Sequence, residues 1–145
     1  MSVVRFYDKS HIPEGKLIYS VIPARYRGKW IFLRKTTRPT WEICAGHIED
    51  GETSDEAAER ELMEETGALE FSLSLIATYS VENEGRTGYG RLYYAEVTDI
   101  GDVPDRSEIA ERIFADGLPD DLTYPEVQPV LFGRVLNWLG EGHGD

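Results

Sequence analysis

Nine of the residues from Glu49 to Glu65 are acidic and one, Arg60, is basic. Three of the acids, Glu61, Glu64 and Glu65, are spaced three, four and one apart. On a helix that spacing places three carboxylates on one side, where they repel each other. Glu64 and Glu65 also fall in the last turn, against the negative end of the helix dipole, at a cost of about 0.3–1 kcal/mol each. A sequence tuned only for stability would carry Lys or Arg there. Local rules tend to fail at functional sites, and a divalent cation resolves this failure. Clustered carboxylate oxygens are hard ligands suited to Mg²⁺ or Mn²⁺. No EF-hand spacing is present, so a dedicated Ca²⁺ loop is not expected. The alternative is a solvated acidic helix that keeps the protein soluble.

The elements that must position these acids can be read around them. Thr53 followed by Glu56 has capping-box spacing, and Asp55 and Glu56 suit the positive end of the dipole. Gly67 stands where a left-handed cap would stop the helix. Ala58 and Leu62 are four apart and would face a sheet, the alanine permitting close approach. Arg60 can tie the helix to the preceding loop through Glu52. Upstream, residues 16–35 read as two strands around Arg27-Gly28, and "TWEIC" as a short strand. Downstream, "FSLSLIATYSVE" and "YGRLYYAEV" read as strands joined by "NEGRTG", whose glycines suit a hairpin loop. The stretch "NEGRTGYG" reads as mobile, able to gate a site or simply to turn the chain. "EIAERIF" is expected to be extended, and a helix is expected over about 127–139. There Val127, Val130, Leu131, Val135, Trp138 and Leu139 recur at helical spacing, with Pro125 and Pro129 before it or in its first turn. The tail from Gly140 to Asp145 is expected to fray. Strands, helix, strands, helix suggests an α/β fold with a mixed sheet flanked by helices.

Composition narrows the class. A chain of 145 residues with 41% hydrophobic and 29% charged residues suits one soluble domain, here 1–145. No apolar run approaches a membrane span, no signal peptide is evident, and the lone Cys44 cannot close an intrachain disulfide, so a cytoplasmic location is expected. The net charge of −12 disfavours gripping a long nucleic acid. It does not disfavour a small phosphorylated substrate when a metal cation stands between.

The stretch also resembles the Nudix box, G-x5-E-x7-R-E-U-x-E-E-x-G-U, where U is a bulky aliphatic residue. Those places are Gly46, Glu52, Arg60, Glu61, Leu62, Glu64, Glu65, Gly67 and Ala68. Every fixed position matches, and only the final U departs, since Ala68 is small. The resemblance implies a Nudix-type α/β/α sandwich and hydrolysis of a nucleoside diphosphate linked to another group, with Mg²⁺ or Mn²⁺. It implies that Glu61, Glu64 and Glu65 bind metal, that the Ala45 carbonyl joins them, and that Glu52 with Arg60 is a structural pair. Cys44-Ala45-Gly46 stands where the family often has Pro-Gly-Gly. His47 occupies a position where some members place a Lys near phosphate. Homodimers are common in the family.

Members of the family often use a further acid outside the box. Glu108 and Glu111 are the first candidates, with Glu82 and Glu84 behind them. Arg25, Arg27, Arg34, Arg86 and Arg91 could hold phosphates, and Tyr26, Trp30, Trp41 and Tyr89 could stack on a base or fill the core. The reaction most expected converts a nucleoside triphosphate to a monophosphate and pyrophosphate. ADP-sugars, dinucleoside polyphosphates and capped RNA ends are alternatives within the class. An isoprenoid diphosphate isomerase, which would call on Cys44, and a non-catalytic nucleotide-binding module are alternatives outside it.

Overall fold

A computed structural model describes residues 1–105 and 107–141. The elements are β1 (Ser2–Tyr7), β2 (Leu17–Val21), β3 (Ala24–Tyr26), β4 (Lys29–Lys35), β5 (Trp41–Glu42), β6 (Ala45–His47), α1 (Ser54–Thr66), β7 (Ala68–Asn83), β8 (Arg86–Ile100), β9 (Ile109–Ala115) and α2 (Gln128–Gly140). The strands form one mixed sheet. Its main path is β1-β7-β8-β3-β4-β5, with β2 joining β8 to β6 and β9 lying along β4. β8 is the spine: it runs antiparallel to β7 and parallel to both β2 and β3.

Alternation along the strands builds two cores, one on each face. Trp30, Phe32, Leu92 and Tyr94 point to one side, where Leu131, Phe132 and Val135 of α2 cover them. Ile31, Leu33, Tyr93 and Ala95 point to the other, where Ala58 and Leu62 of α1 cover them. The arrangement is the α/β/α sandwich expected from the order of elements. No helix among the described residues is long and apolar enough to cross a membrane.

The structure departs from the sequence reading in local detail. Residues 16–35 hold three strands, because Pro23 interrupts the first and its carbonyl accepts from the Ala95 N–H instead. β1 and β6 were not expected; each is short and exists only through pairing with distant partners, β7 and β2. The hairpin expected at 83–88 forms, but most of its loop is ladder. Asn83 pairs with Arg86, leaving only Glu84 and Gly85, at φ 52° and 79°, as a tight two-residue turn. In α2, Phe132 is buried and Val130 is 43% exposed, a rotation of the expected apolar face. Most of the tail, Gly142–Asp145, lies outside the described residues.

Gly67 closes α1 with φ 80° and donates from its N–H to the Met63 carbonyl. A Cβ at Gly67 would lie 2.7 Å from the carbonyl oxygens of both Gly101 and Asp102. Gly67→Ala therefore combines left-handed strain with a backbone clash, and should lower stability in urea unfolding by about 1–3 kcal/mol.

Candidate active site

The site is built on α1, whose ends are both held. At the N-terminus Thr53 Oγ1 accepts from the Glu56 N–H at 3.1 Å, and Glu56 Oε1 accepts from the Thr53 N–H at 2.9 Å. Beneath that end, Ser54 Oγ accepts from the Tyr93 hydroxyl at 2.7 Å and from Arg91 Nη1 at 3.2 Å. At the C-terminus the last turn has no basic residue of its own. The cation comes from β9: Arg112 Nη1 donates to the Thr66 carbonyl at 2.6 Å and the Gly101 carbonyl at 2.7 Å. It opposes the negative end of the dipole beside Glu64 and Glu65. Nothing near α1 in sequence signals Arg112, which lies 46 residues from Thr66.

Arg60 connects the acids to one another. Its Nε donates to Glu52 Oε2 at 2.6 Å, Nη2 to Glu52 Oε1 at 3.0 Å and to the His47 carbonyl at 3.0 Å, and Nη1 to Glu61 Oε1 at 2.6 Å. Glu64 and Glu49 each lie 3.5 Å from Nη1. The fork geometry of a guanidinium suits this task. It ties α1 to β6 and to the preceding loop, and the Arg60 hydrogen bonds hold the Glu52 carboxyl down at about 2. The expected Glu52–Arg60 pair is one arm of this wider hub.

The three helix carboxylates differ in environment. Glu64 is exposed, with 57% of its side chain accessible. Glu61 lies against β6, where a Cβ on Gly46 would collide with its carboxyl group. Glu65 is only 9% exposed and accepts from the Ala45 N–H at 3.1 Å. Burial, reinforced by the charge of Glu61, pushes the Glu65 carboxyl up to about 8. Burial also raises Glu61, against the pull of Arg60. Among the described residues no three His, Cys, Asp or Glu side chains converge closely enough to hold a metal ion. Arg60 accounts for the spacing, since its guanidinium contacts both Glu61 and Glu64. The donor set nevertheless fits a hard divalent cation: two desolvated carboxylates that are costly to ionise, a third at the rim, and the Ala45 backbone beside Glu65.

Two cavities flank β6 and the residues that contact it. One, about 420 Å³, is lined by Glu49, Arg60, Glu61, Glu64, Glu65 and, from the segment before β9, Glu108. The other, about 340 Å³, lies on the α2 side and is reached past Ala45, Gly46 and His47. Its walls include Val21, Ile43 and Leu131, with Lys35 and Arg38 at the edge. Lys35 and Arg38 each lie 3.5 Å from Glu42. Sequence reasoning passed over these two cations, because only the β4–β5 pairing carries them to β6.

Of the other sequence candidates, Glu108 is brought to the carboxylates and His47 to the second cavity, its ring 4.5 Å from that of Tyr19. Arg34 and Arg91 are not brought to either. Arg34 is paired with Glu111 at 3.2 Å on the β4–β9 ladder, and Arg91 is spent on Thr78 and Ser54 under α1. Arg25 pairs with Glu96, while Arg27, Glu84 and Arg86 sit at hairpin turns and Glu82 in the ladder leading to one. Trp30 is buried in the core on the α2 side, against which Trp41 packs, and Tyr26 packs against the core on the α1 side. Tyr89 lies beside Tyr7 and Gly15. Cys44 is 1% exposed, and burial raises its thiol well above the usual range.

Fold and site together define a mixed sheet carrying an acidic helix tied down by one arginine, and comparison with known proteins supplies the class. A sequence model of the NUDIX domain matches residues 18–116, and the chain belongs to that family. Among curated relatives, the Bacillus subtilis (strain 168) protein YtkD, provisionally named an 8-oxo-dGTP diphosphatase, is 30% identical over 68% of this chain. A Caenorhabditis elegans protein provisionally named nudix hydrolase 1 is 34% identical over 53% of it. The matches span 62% and 21% of those relatives' own lengths. A Bacillus subtilis pyrophosphohydrolase superposes with a TM-score of 0.76 at 22% identity, covering 94% of this chain and 91% of that one. A UDP-X diphosphatase gives 0.71 at 20% identity, covering 93% and 68%.

The buried carboxyl makes the metal-free protein sensitive to pH. Because the folded-state value of Glu65 is raised, its stabilising contribution is full below the ordinary carboxylate range and is lost as pH rises towards about 8. Glu65→Gln keeps an acceptor for the Ala45 N–H and removes the charge. In EDTA it should be more stable than the parent at pH 8, by about 1–3 kcal/mol, with a flatter dependence between pH 5 and pH 8. With saturating Mg²⁺ the order should reverse, since metal binding stabilises only the state that holds it. Urea unfolding of both proteins, with EDTA and with Mg²⁺, checks this; a less stable variant in EDTA would make Glu65 a structural residue.

Proposed function

We propose that the chain is a metal-dependent diphosphohydrolase acting on a nucleoside diphosphate derivative, with nucleoside triphosphates as the leading substrates. The observation that carries this is the shared wall at β6. Ala45 and Gly46 contact Glu65 and Glu61 on one side and line the 340 Å³ cavity on the other. A nucleotide can place its base in the apolar cavity and its phosphates across β6 towards the carboxylates. The name of the YtkD relative adds 8-oxo-dGTP to the substrates worth testing.

Glu61, Glu64 and Glu65, with the Ala45 carbonyl, are the residues that would hold the cation. A bound Mg²⁺ or Mn²⁺ offsets phosphate charge and acidifies water. Arg60 keeps the acids from repelling one another apart and fixes α1 to β6. Lys35 and Arg38 are placed to meet phosphate charge entering from the cavity. A carboxylate oxygen of Glu61 or Glu108 accepts the proton of the attacking water. Cys44 lines neither cavity, which speaks against the isomerase reading.

The test is turnover of a panel holding the common nucleoside triphosphates, 8-oxo-dGTP, an ADP-sugar and a dinucleoside polyphosphate. Hydrolysis should require Mg²⁺ or Mn²⁺ and stop in EDTA. In oxygen-18 water the label should end on phosphorus; label in a sugar hydroxyl would exclude attack at phosphate. Second-layer supports of metal ligands are worth about 10–100-fold, so Glu64→Gln and Glu65→Gln, which remove ligands themselves, should each cost at least that in kcat. Turnover undiminished by EDTA would overturn the reading.

A further inference from the structure

Among the described residues, the 340 Å³ cavity is lined by one buried side-chain polar group that the fold leaves uncommitted. Tyr79 lines it and is 4% exposed. The β7–β8 register sets Tyr79 against Gly90, and the β2–β8 register sets Tyr19 against the same glycine. The phenol lies across that gap: a Cβ on Gly90 would sit 2.5 Å from its hydroxyl oxygen and 2.6 Å from Cζ. The hydroxyl makes no hydrogen bond to another described residue. Yet among the described residues no fully buried side-chain oxygen or nitrogen lacks a partner. The Tyr79 oxygen is therefore not sealed in the core; it meets the cavity.

Its polar neighbours in the wall are committed. Gln128 accepts from the Ile43 N–H at 2.8 Å and donates its amide to the Thr123 carbonyl. Glu42 is shared between Lys35 and Arg38. At the mouth stand two accessible aromatic rings, Tyr19 at 40% and Tyr124 at 59%. Tyr124 is held at φ 56°, a conformation that bulky residues rarely adopt and that gathers at ligand clamps. The Arg38 guanidinium lies 5.5 Å from its ring. Flat walls with a single buried side-chain group left without a partner suit a planar heterocycle. A prenyl chain would leave the hydroxyl unpaired and be rejected for it, and a sugar would ask for several partners.

We propose that the Tyr79 hydroxyl determines specificity by hydrogen-bonding one exocyclic polar group on the edge of the base. The proposal rests on the reading above for the placing of the base in this cavity.

Calorimetric binding of nucleoside monophosphates in EDTA tests it without turnover. The panel is AMP, GMP, IMP, CMP, UMP and purine riboside monophosphate, whose base edge lacks exocyclic groups. The parent should bind at least one base in preference to purine riboside. Tyr79→Phe, which keeps the ring over Gly90 and should melt with the parent, should weaken the preferred base about tenfold and shrink that preference by the same factor. Equal affinities for Tyr79→Phe and parent would overturn the proposal, as would a parent that binds no monophosphate or does not distinguish purine riboside. Base binding that depends on Tyr79 in a protein with no Mg²⁺-dependent turnover would uphold it and overturn the hydrolase reading instead.

Discussion

Carboxylates at Glu61, Glu64 and Glu65 repel one another, and Glu65 does so from a place water hardly reaches. The architecture around α1 is organised by that repulsion. Arg60 meets Glu49, Glu52, Glu61 and Glu64 with one planar cation and fastens the His47 carbonyl at the same time. An exposed ion pair would contribute little; here the guanidinium is largely shielded and its arms are distributed among several acids. The cost of ionising the buried Glu65 is what a divalent cation would offset.

The helix must also be held from outside itself. Its N-terminal cap is local, made by residues three apart, whereas its C-terminal charge comes from Arg112 across the sheet. Gly67 lets the chain turn directly into β7, and the backbone of Gly101 closes against it. Two distant segments, β8 with its following loop and β9, therefore help set where Glu64 and Glu65 stand. The same loop leads to Glu108 on the carboxylate cavity.

β6 is the smallest element with the largest influence on the site. Three residues, Ala45 to His47, supply a backbone N–H to Glu65, room for Glu61 at Gly46 and a carbonyl to Arg60. Their other face opens on the cavity beneath α2. The cavity proposed for the base and the carboxylates of α1 thus lie on either side of Ala45 and Gly46, and the reaction proposed for the chain needs that adjacency.

Much of this was legible in the residues alone. The capping box, the glycine stop, the buried Ala58 and Leu62 and the Glu52–Arg60 pair all depend on contacts within one helix and its preceding loop, where spacing determines geometry. The longer strands and α2 were legible for the same reason: their periodicity is local. The strands β1 and β6, the commitment of Arg34 to Glu111 and of Arg91 to Ser54, the cation Arg112, and the pairing of Tyr79 with Gly90 were not. Each depends on which strand lies beside which, and strand pairing between residues tens of positions apart leaves no periodic trace in the chain. The sequence by itself determined the acidic helix, its caps and the spacing of its carboxylates; the tertiary structure decided which arginines remain near that helix, which cavity lies beside β6 and which buried hydroxyl is left unpaired, because those are matters of sheet register.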